Sequence, residues 1–385
     1  MRIAFVPAAR LLSDRRANGE GLIAEALLRR LAARGHEVVA YCEEADFAEP
    51  ITGVEVREIS AQAPSAALSR IAFAKRIARD VARERFDVAH LLFPLNTAEG
   101  YAMVRGVPLV AGPMFLPWPA SVAPKPRAAA RVANAWLGRR ERRMHARTLR
   151  CADKLLVTGS ASVAAIPASL HHKVEEIPFG VDSARIPVAP LPEEPTIGFL
   201  SVLQRRKGAD VLLRAMPAVL RAVPRARLLL AGDDPSGLRP ELEHLAASLG
   251  VAHAVTFWGP VAPGDEAFAM HRRARVFCQP SIGEPFGMAV LEAMATGRPV
   301  VATAAGGVTD IVVDGEGGRL IRPGDERLLA DALISVLSDP AAAARMGAAN
   351  RRRVEQRFDL DGVTSKIEAV YASLAGVRKD PVHAA

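Results

Sequence analysis

Short apolar runs alternate with stretches of helical spacing along almost the whole chain. Runs over 3–6, 38–41 and 88–92 predict early strands, and the leucines and alanines of 22–33 predict a helix between the first two. The pattern repeats over 155–158, 196–200, 227–231, 255–258, 276–279 and 299–303, with helical spacing over 210–223, 241–249, 287–295 and 325–337. A strand followed by a helix, many times over, implies an α/β fold with parallel, doubly wound sheets. Between 182 and 194 the chain reads Asp-Ser-Ala-Arg-Ile-Pro-Val-Ala-Pro-Leu-Pro-Glu-Glu, rich in proline and without periodicity, and predicts an interdomain linker. With 385 residues there is material for two domains, expected at 1–181 and 182–361.

Composition narrows the class. Half of the residues are hydrophobic and 24% are charged, a soluble globular balance. Cys42, Cys151 and Cys278 are odd in number and in no metal-like spacing, so a reducing cytoplasm is expected and a disulfide framework is not. The opening Met1-Arg-Ile-Ala-Phe-Val-Pro7 is too short for a secretory leader and suits a first strand, and no apolar run reaches membrane-span length. The net charge of +8 lies entirely in residues 1–180, since 181–385 are balanced. That excess suits an anionic acceptor, a membrane surface or nucleic acid, and equally well a solvated arginine-rich surface. Within it, 125–154 has a helical pattern dense in arginine (Arg139, Arg140, Arg142, Arg143, Arg147, Arg150) beside Trp136 and Leu137. It reads either as a peripheral membrane contact or as an ordinary surface helix, the second being favoured. Nucleic acid is not expected as a partner, because aromatic residues are few and none interleave with the basic ones.

The candidate chemistry sits in Pro280-Ser-Ile-Gly-Glu284-Pro-Phe286-Gly287-Met288-Ala289-Val-Leu-Glu292-Ala-Met-Ala295, between the strand ending at Gln279 and a helix expected to begin near Phe286 or Gly287. In open α/β sheets, ligands bind beyond the carboxyl ends of strands. A helix start offers unpaired amides and partial positive charge, a natural seat for phosphate. Glu284 before the helix can accept from sugar hydroxyls, and Glu292, two turns on, from a ribose diol. Two carboxylates with amides between them fit a nucleotide sugar.

This stretch resembles the E-x7-E signature of the family 4 retaining glycosyltransferases. The likeness continues through Gly297-Arg-Pro-Val-Val-Ala, Gly306-Gly307, Asp314-Gly-Glu-Gly-Gly-Arg-Leu-Ile and Pro323-Gly-Asp in the family's order. It covers nearly the whole chain, strongly in the second half and patchily in the first. The resemblance implies the GT-B architecture, two Rossmann-like domains facing a central cleft, with a last helix at 362–378 packing back on the first domain. It implies that Glu284 contacts the transferred sugar, Glu292 the ribose, and Gly287 with the Met288 and Ala289 amides the sugar and phosphates, beside Phe286. Lys207, in Ser201-Val-Leu-Gln-Arg-Arg-Lys-Gly208, falls on the lysine that neutralises the leaving diphosphate. Gly19 matches one of two glycines that lie against the donor phosphates, Asn18 replacing the other. The nucleobase is expected near Gly259-Pro260-Val261. Pro178-Phe-Gly-Val-Asp182 matches the domain crossing, and His36 is expected to pack or cap locally.

Three features need separate treatment. The family's arginine five residues before the lysine is Val202 here; Arg205 either replaces it, by sharing a side of extended backbone with Lys207, or is simply solvated. A family histidine facing the sugar is missing from Pro108-Leu-Val-Ala-Gly-Pro-Met114-Phe115. That leaves Met114 and the nearby His90 as candidate acceptor contacts, a buried, satisfied role being the favoured reading for His90. Asp359-Leu-Asp361 looks like a metal motif of a different fold, but is read as the start of the last helix with Asp361 as N-cap. The expected activity is metal-independent transfer of a hexosyl group from a nucleoside diphosphate sugar, uridine ahead of guanosine, to a hydroxylated metabolite, glycan or lipid headgroup. The nucleotide sugar is a substrate, and no cofactor is expected. Retention would proceed by same-face attack with the leaving phosphate taking the proton. A catalytically silent partner or sensor on the same fold is the alternative.

Overall fold

The apolar runs form parallel strands in both halves of the chain. A computed structural model describes residues 1–7, 11–14, 19–60, 66–92, 106–114, 143 and 145–375. Among these, residues 1–180 with 360–375 group into one unit and 181–359 into another.

In the first unit the strands are β1 (Arg2–Val6), β2 (Leu11–Ser13), β3 (Glu37–Cys42), β4 (Glu44–Asp46), β5 (Val54–Glu58), β6 (Val88–Leu91), β7 (Leu109–Met114), β8 (Lys154–Val157) and β9 (Val174–Glu176). Seven of them pair in the order β5-β3-β1-β6-β7-β8-β9, while β2 and β4 form a small separate pair. The main ladder is parallel, with Ile3 opposite Val38 on one side and Val88 on the other. Helices α1 (Gly19–Ala33) and α2 (Ala66–Arg83) connect its early strands.

The second unit holds β10 (Thr196–Leu200), β11 (Arg227–Ala231), β12 (Val255–Gly259), β13 (Val276–Gln279), β14 (Val300–Thr303) and β15 (Gly318–Ile321). Their order, β12-β11-β10-β13-β14-β15, is that of a doubly wound nucleotide-binding sheet. All four residues of β13 and of β14 are buried, as a parallel strand covered on both faces requires. The helices of eight residues or more are α3 (Ala209–Ala222), α4 (Arg239–Ser248), α5 (Asp265–Arg273), α6 (Met288–Ala295), α7 (Glu326–Leu337) and α8 (Pro340–Arg353). The sequence pattern had not marked α8, because the residues it buries include Ala343, Gly347, Ala349 and Asn350, which carry no apolar stripe. Its start is conventional: Asp339 caps the Ala342 amide and Pro340 occupies the first turn.

The proline-rich stretch expected as a linker is fastened to the second unit. Arg298, fully buried, donates to the carbonyls of Ala189, Pro190, Arg272, Ala274 and Thr296. Arg275 holds the Pro192 and Glu193 carbonyls, and Arg351 those of Ser183 and Ile186. A segment without ladder partners still has carbonyls to satisfy, and here arginine forks do it.

The last helix, α9 (Leu360–Leu374), packs on α1 in the first unit. Asp361 lies inside its first turn and is not the N-cap that the sequence suggests, and its carboxylate pairs with Arg30 of α1 and with Arg34 just beyond it. His36 does not act locally as expected. Its Nε2 meets Glu368 of α9 at 2.8 Å, a contact between residues 332 positions apart.

Candidate functional site

Strands β10 and β13 are neighbours at the centre of the second sheet, the point where strand order reverses. Chains leaving such strands turn to opposite faces, which opens a crevice beyond their carboxyl ends. The loop after β10 carries Lys207 and the loop after β13 carries Glu284, so the fold brings the two to one crevice from 77 residues apart.

Lys207 ends a single 3-10 turn, Arg205–Lys207, which Gly208 closes. Its Nζ donates to Glu284 Oε2 at 2.7 Å, with both side chains largely buried. The same carboxylate oxygen accepts from Ser281 Oγ at 3.2 Å, and Ser281 in turn accepts from Gln279 Nε2 at 2.7 Å. The loop backbone is equally constrained: Ile282 N donates to Arg206 O and Gly307 N to Glu284 O, both at 2.9 Å. A side chain at Gly306 would put its Cβ 2.0 Å from the Glu284 carbonyl oxygen, so the Gly306-Gly307 pair is there to let the loop close. Burial pulls the Lys207 ammonium below the ordinary lysine range; Glu284 opposes that shift and Arg206 adds to it.

The loop runs into α6. Gly287 takes φ 111°, a left-handed conformation that a side chain would resist, and no side chain caps the amides that follow. Met288 and Ala289 are half-buried there, whereas Phe286 is buried. Glu292, its side chain 23% exposed, stands about one turn into the helix with Oε2 3.7 Å from Nε2 of the fully buried His271 on α5. Nothing in the sequence had singled out His271. Val261 lies half-buried in the loop after β12, and Gly19 opens α1 in the first unit with nothing within 4 Å of where a Cβ would stand.

Three expectations are corrected. Arg205 does not stand in for the missing arginine: its two terminal nitrogens grip Glu241 at 2.8 and 2.7 Å, 71% exposed. The reason is the 3-10 turn, where residues two apart do not share a side as they do in extended chain. Arg206 is the guanidinium beside the site, half-buried and within electrostatic reach of Glu284 and Lys207. His90 and Met114 are fully buried and offer an acceptor no atom. His90 Nε2 faces the Gly112 carbonyl at 2.5 Å and so carries the proton, which leaves Nδ1 to accept from the Tyr371 hydroxyl at 2.5 Å. Burial lowers this imidazole to about 4, so it is neutral. Of the basic segment 125–154, most lies outside the described residues. Asn18 and Phe115 do too. Among the described residues, no helix is long and apolar enough to cross a membrane.

Two family profiles match the chain, "Glycosyltransferase Family 4" over residues 17–185 and "Glycosyl transferases group 1" over 194–339. A D-inositol 3-phosphate glycosyltransferase of Stackebrandtia nassauensis is 41% identical over 217 residues, which is 50% of this chain and 48% of the relative. A GDP-mannose-dependent phosphatidylinositol monomannoside mannosyltransferase of Mycolicibacterium smegmatis is 36% identical over 46% of this chain and 50% of the relative. The chain spans about half the length of these curated relatives. Among solved structures, a sucrose-phosphate synthase from Thermosynechococcus elongatus has TM-score 0.79 at 24% identity, covering 97% of this chain and 99% of that one. The Anabaena HepE structure in complex with UDP has TM-score 0.75 at 20% identity, covering 97% and 100%. These two share the fold.

Proposed function

Since the chain belongs to the family 4 glycosyltransferases and has their GT-B type of fold, we propose that it moves a hexosyl group from a nucleoside diphosphate sugar to a hydroxyl acceptor with retention at the anomeric carbon. The observation that carries this reading is the Lys207–Glu284 pair at the reversal point of the second sheet, beside the uncapped start of α6. In the proposed complex the diphosphate lies on the Met288 and Ala289 amides and takes the Lys207 ammonium. Glu284, released from that ion pair, accepts from the sugar hydroxyls. Glu292 accepts from the ribose.

The anomeric carbon's bond to the phosphate oxygen breaks, and the acceptor oxygen bonds to that carbon on the same face. The acceptor's proton passes to the leaving phosphate. No protein nucleophile is then required. The demand on the chain is to position the reactants and to stabilise the negative charge that builds on the phosphate, which a preformed ammonium and helix amides supply. No divalent metal enters this scheme.

Uridine diphosphate sugars are placed first, and the GDP-mannose dependence in one relative's name makes guanosine the competing base. Inositol in the relatives' names makes an inositol phosphate the first acceptor to try. A thermal-shift panel of uridine and guanosine diphosphate sugars, followed by NMR of the transfer product formed with and without chelator, tests the whole reading. Stabilisation by one donor class and a product of unchanged anomeric configuration in chelator are expected. A product of inverted configuration, or dependence on a divalent metal, would overturn the mechanism; donor binding with no transfer to any acceptor would point to a silent subunit.

A further inference from the structure

We propose that His271 is a positioning residue for Glu292, holding that carboxylate in the orientation that receives the ribose of the donor. The inference rests on the reading of Glu292 as the ribose contact. His271 lies in the last turn of α5 and is fully buried. Its ring meets Phe277 of β13 edge-on, with centroids 4.9 Å apart and planes at 72°, which fixes the ring plane. Neither ring nitrogen has a hydrogen-bond partner among the described residues. Buried polar atoms are rarely left so, and an orphan of this kind asks for a partner. The acceptor within reach is Glu292 Oε2, 3.7 Å from Nε2.

That separation is too long for a hydrogen bond. Closing it to the roughly 2.9 Å of an N–H···O contact takes a shift of about 0.8 Å, well within the torsional freedom of a glutamate. Glu292 therefore has two sides. One oxygen faces a buried imidazole, and the side chain stays partly exposed. A carboxylate has about four lone-pair positions, enough for one imidazole N–H and both hydroxyls of a ribose at once. With the imidazole bond made, the carboxylate plane is set before the ribose arrives, and the hydroxyls meet an acceptor that need not be ordered. Without it, Glu292 swings on its stem and the ribose loses an oriented partner. Base and diphosphate contacts are untouched.

The test separates ribose recognition from everything else. Calorimetric titration compares uridine and guanosine diphosphates with their 2′,3′-dideoxy counterparts on the wild-type chain and on His271→Phe, His271→Gln, His271→Asn and Glu292→Ala. Phenylalanine keeps the ring's shape and its edge contact while removing both nitrogens. It is expected to weaken the ribonucleotides roughly tenfold, the scale of one charge-assisted bond, and to leave the dideoxy constants unchanged. Glutamine, whose amide nitrogen overlies Nε2, is expected to restore the ribose preference; asparagine, whose amide overlies Nδ1, is not. If Glu292→Ala abolishes the ribose preference and His271→Phe retains it, this inference falls alone. If Glu292→Ala keeps the preference, the ribose reading falls and this inference with it. Should the phenylalanine variant not fold, equal ribose preference in the asparagine and glutamine variants overturns the proposal.

Discussion

The Lys207 ammonium sits where burial works against its charge and one carboxylate works for it. Its protonated form is the useful one, because it can neutralise a leaving diphosphate. Deprotonation with rising pH should therefore end activity below the ordinary lysine value of about 10.4. A bound diphosphate adds negative charge and favours the ammonium, so the alkaline limb of kcat should lie at higher pH than that of kcat/KM. Replacing Lys207 by methionine should lower kcat by roughly 10²–10³, as when one preorganised donor is lost, and remove both limbs. Limbs that coincide, or that persist in the variant, would take Lys207 out of the reaction. Glu284 and Gly287 stood out in the sequence because they lie between a buried strand and the start of a helix, whereas Lys207 was picked out only by its place in the family resemblance. That Arg206, not Arg205, stands beside the site was not legible, since a single 3-10 turn sets it. His90 found its partner Tyr371, 281 residues on, only through the packing of α9.

Strands such as β10, β11 and β13 fall where the apolar runs predict them, because a strand buried on both faces leaves an uninterrupted hydrophobic stretch. Elements held by polar contacts leave no such trace. The stretch 182–194 shows no periodicity because arginine forks hold its carbonyls and its apolar anchors, buried Ile186 and Leu191 against the core, follow no regular spacing. Arg298 joins two carbonyls of that stretch to three from the rest of the second unit: its burial lowers the guanidinium to about 10, still fully charged at neutral pH, and five carbonyls accept from it. Replacing it by methionine fills much of the volume but strands those carbonyls, each costing about 1–3 kcal/mol if no water replaces the donor. Urea unfolding should show a loss of roughly 3 kcal/mol or more. Lysine, with a single point of donation, should recover only part of it. A loss under about 1 kcal/mol would mean that the stretch keeps its place without the clamp.

At the scale of the whole chain, each unit has its own apolar core and fastens a terminal segment of its own with polar contacts. In the first, α9 is tied to the turn after α1 through Glu368 and Arg34 and to β6 through Tyr371 and His90; in the second, three arginines hold 183–193. Separate cores should unfold separately, and the two units should answer to different conditions. The His90 imidazole, held at about 4 when folded against about 6.5 in an unfolded chain, takes its proton more readily once unfolded. Its contribution is complete above about pH 6.5, declines as pH falls through that window, and levels off below about 4, a loss of about 3 kcal/mol confined to the first unit. A nucleoside diphosphate at about 100 times its dissociation constant should instead stabilise the second unit, by about 2.7 kcal/mol, through the crevice beside α6. Scanning calorimetry at pH 7 and pH 4.5, with and without the nucleotide, should thus resolve two transitions, the acid moving one down and the ligand moving the other up. His90→Gln, less stable at neutral pH, should lose the acid slope of the first transition only. One cooperative transition responding to both, with equal calorimetric and van't Hoff enthalpies, would show that the units stand or fall together.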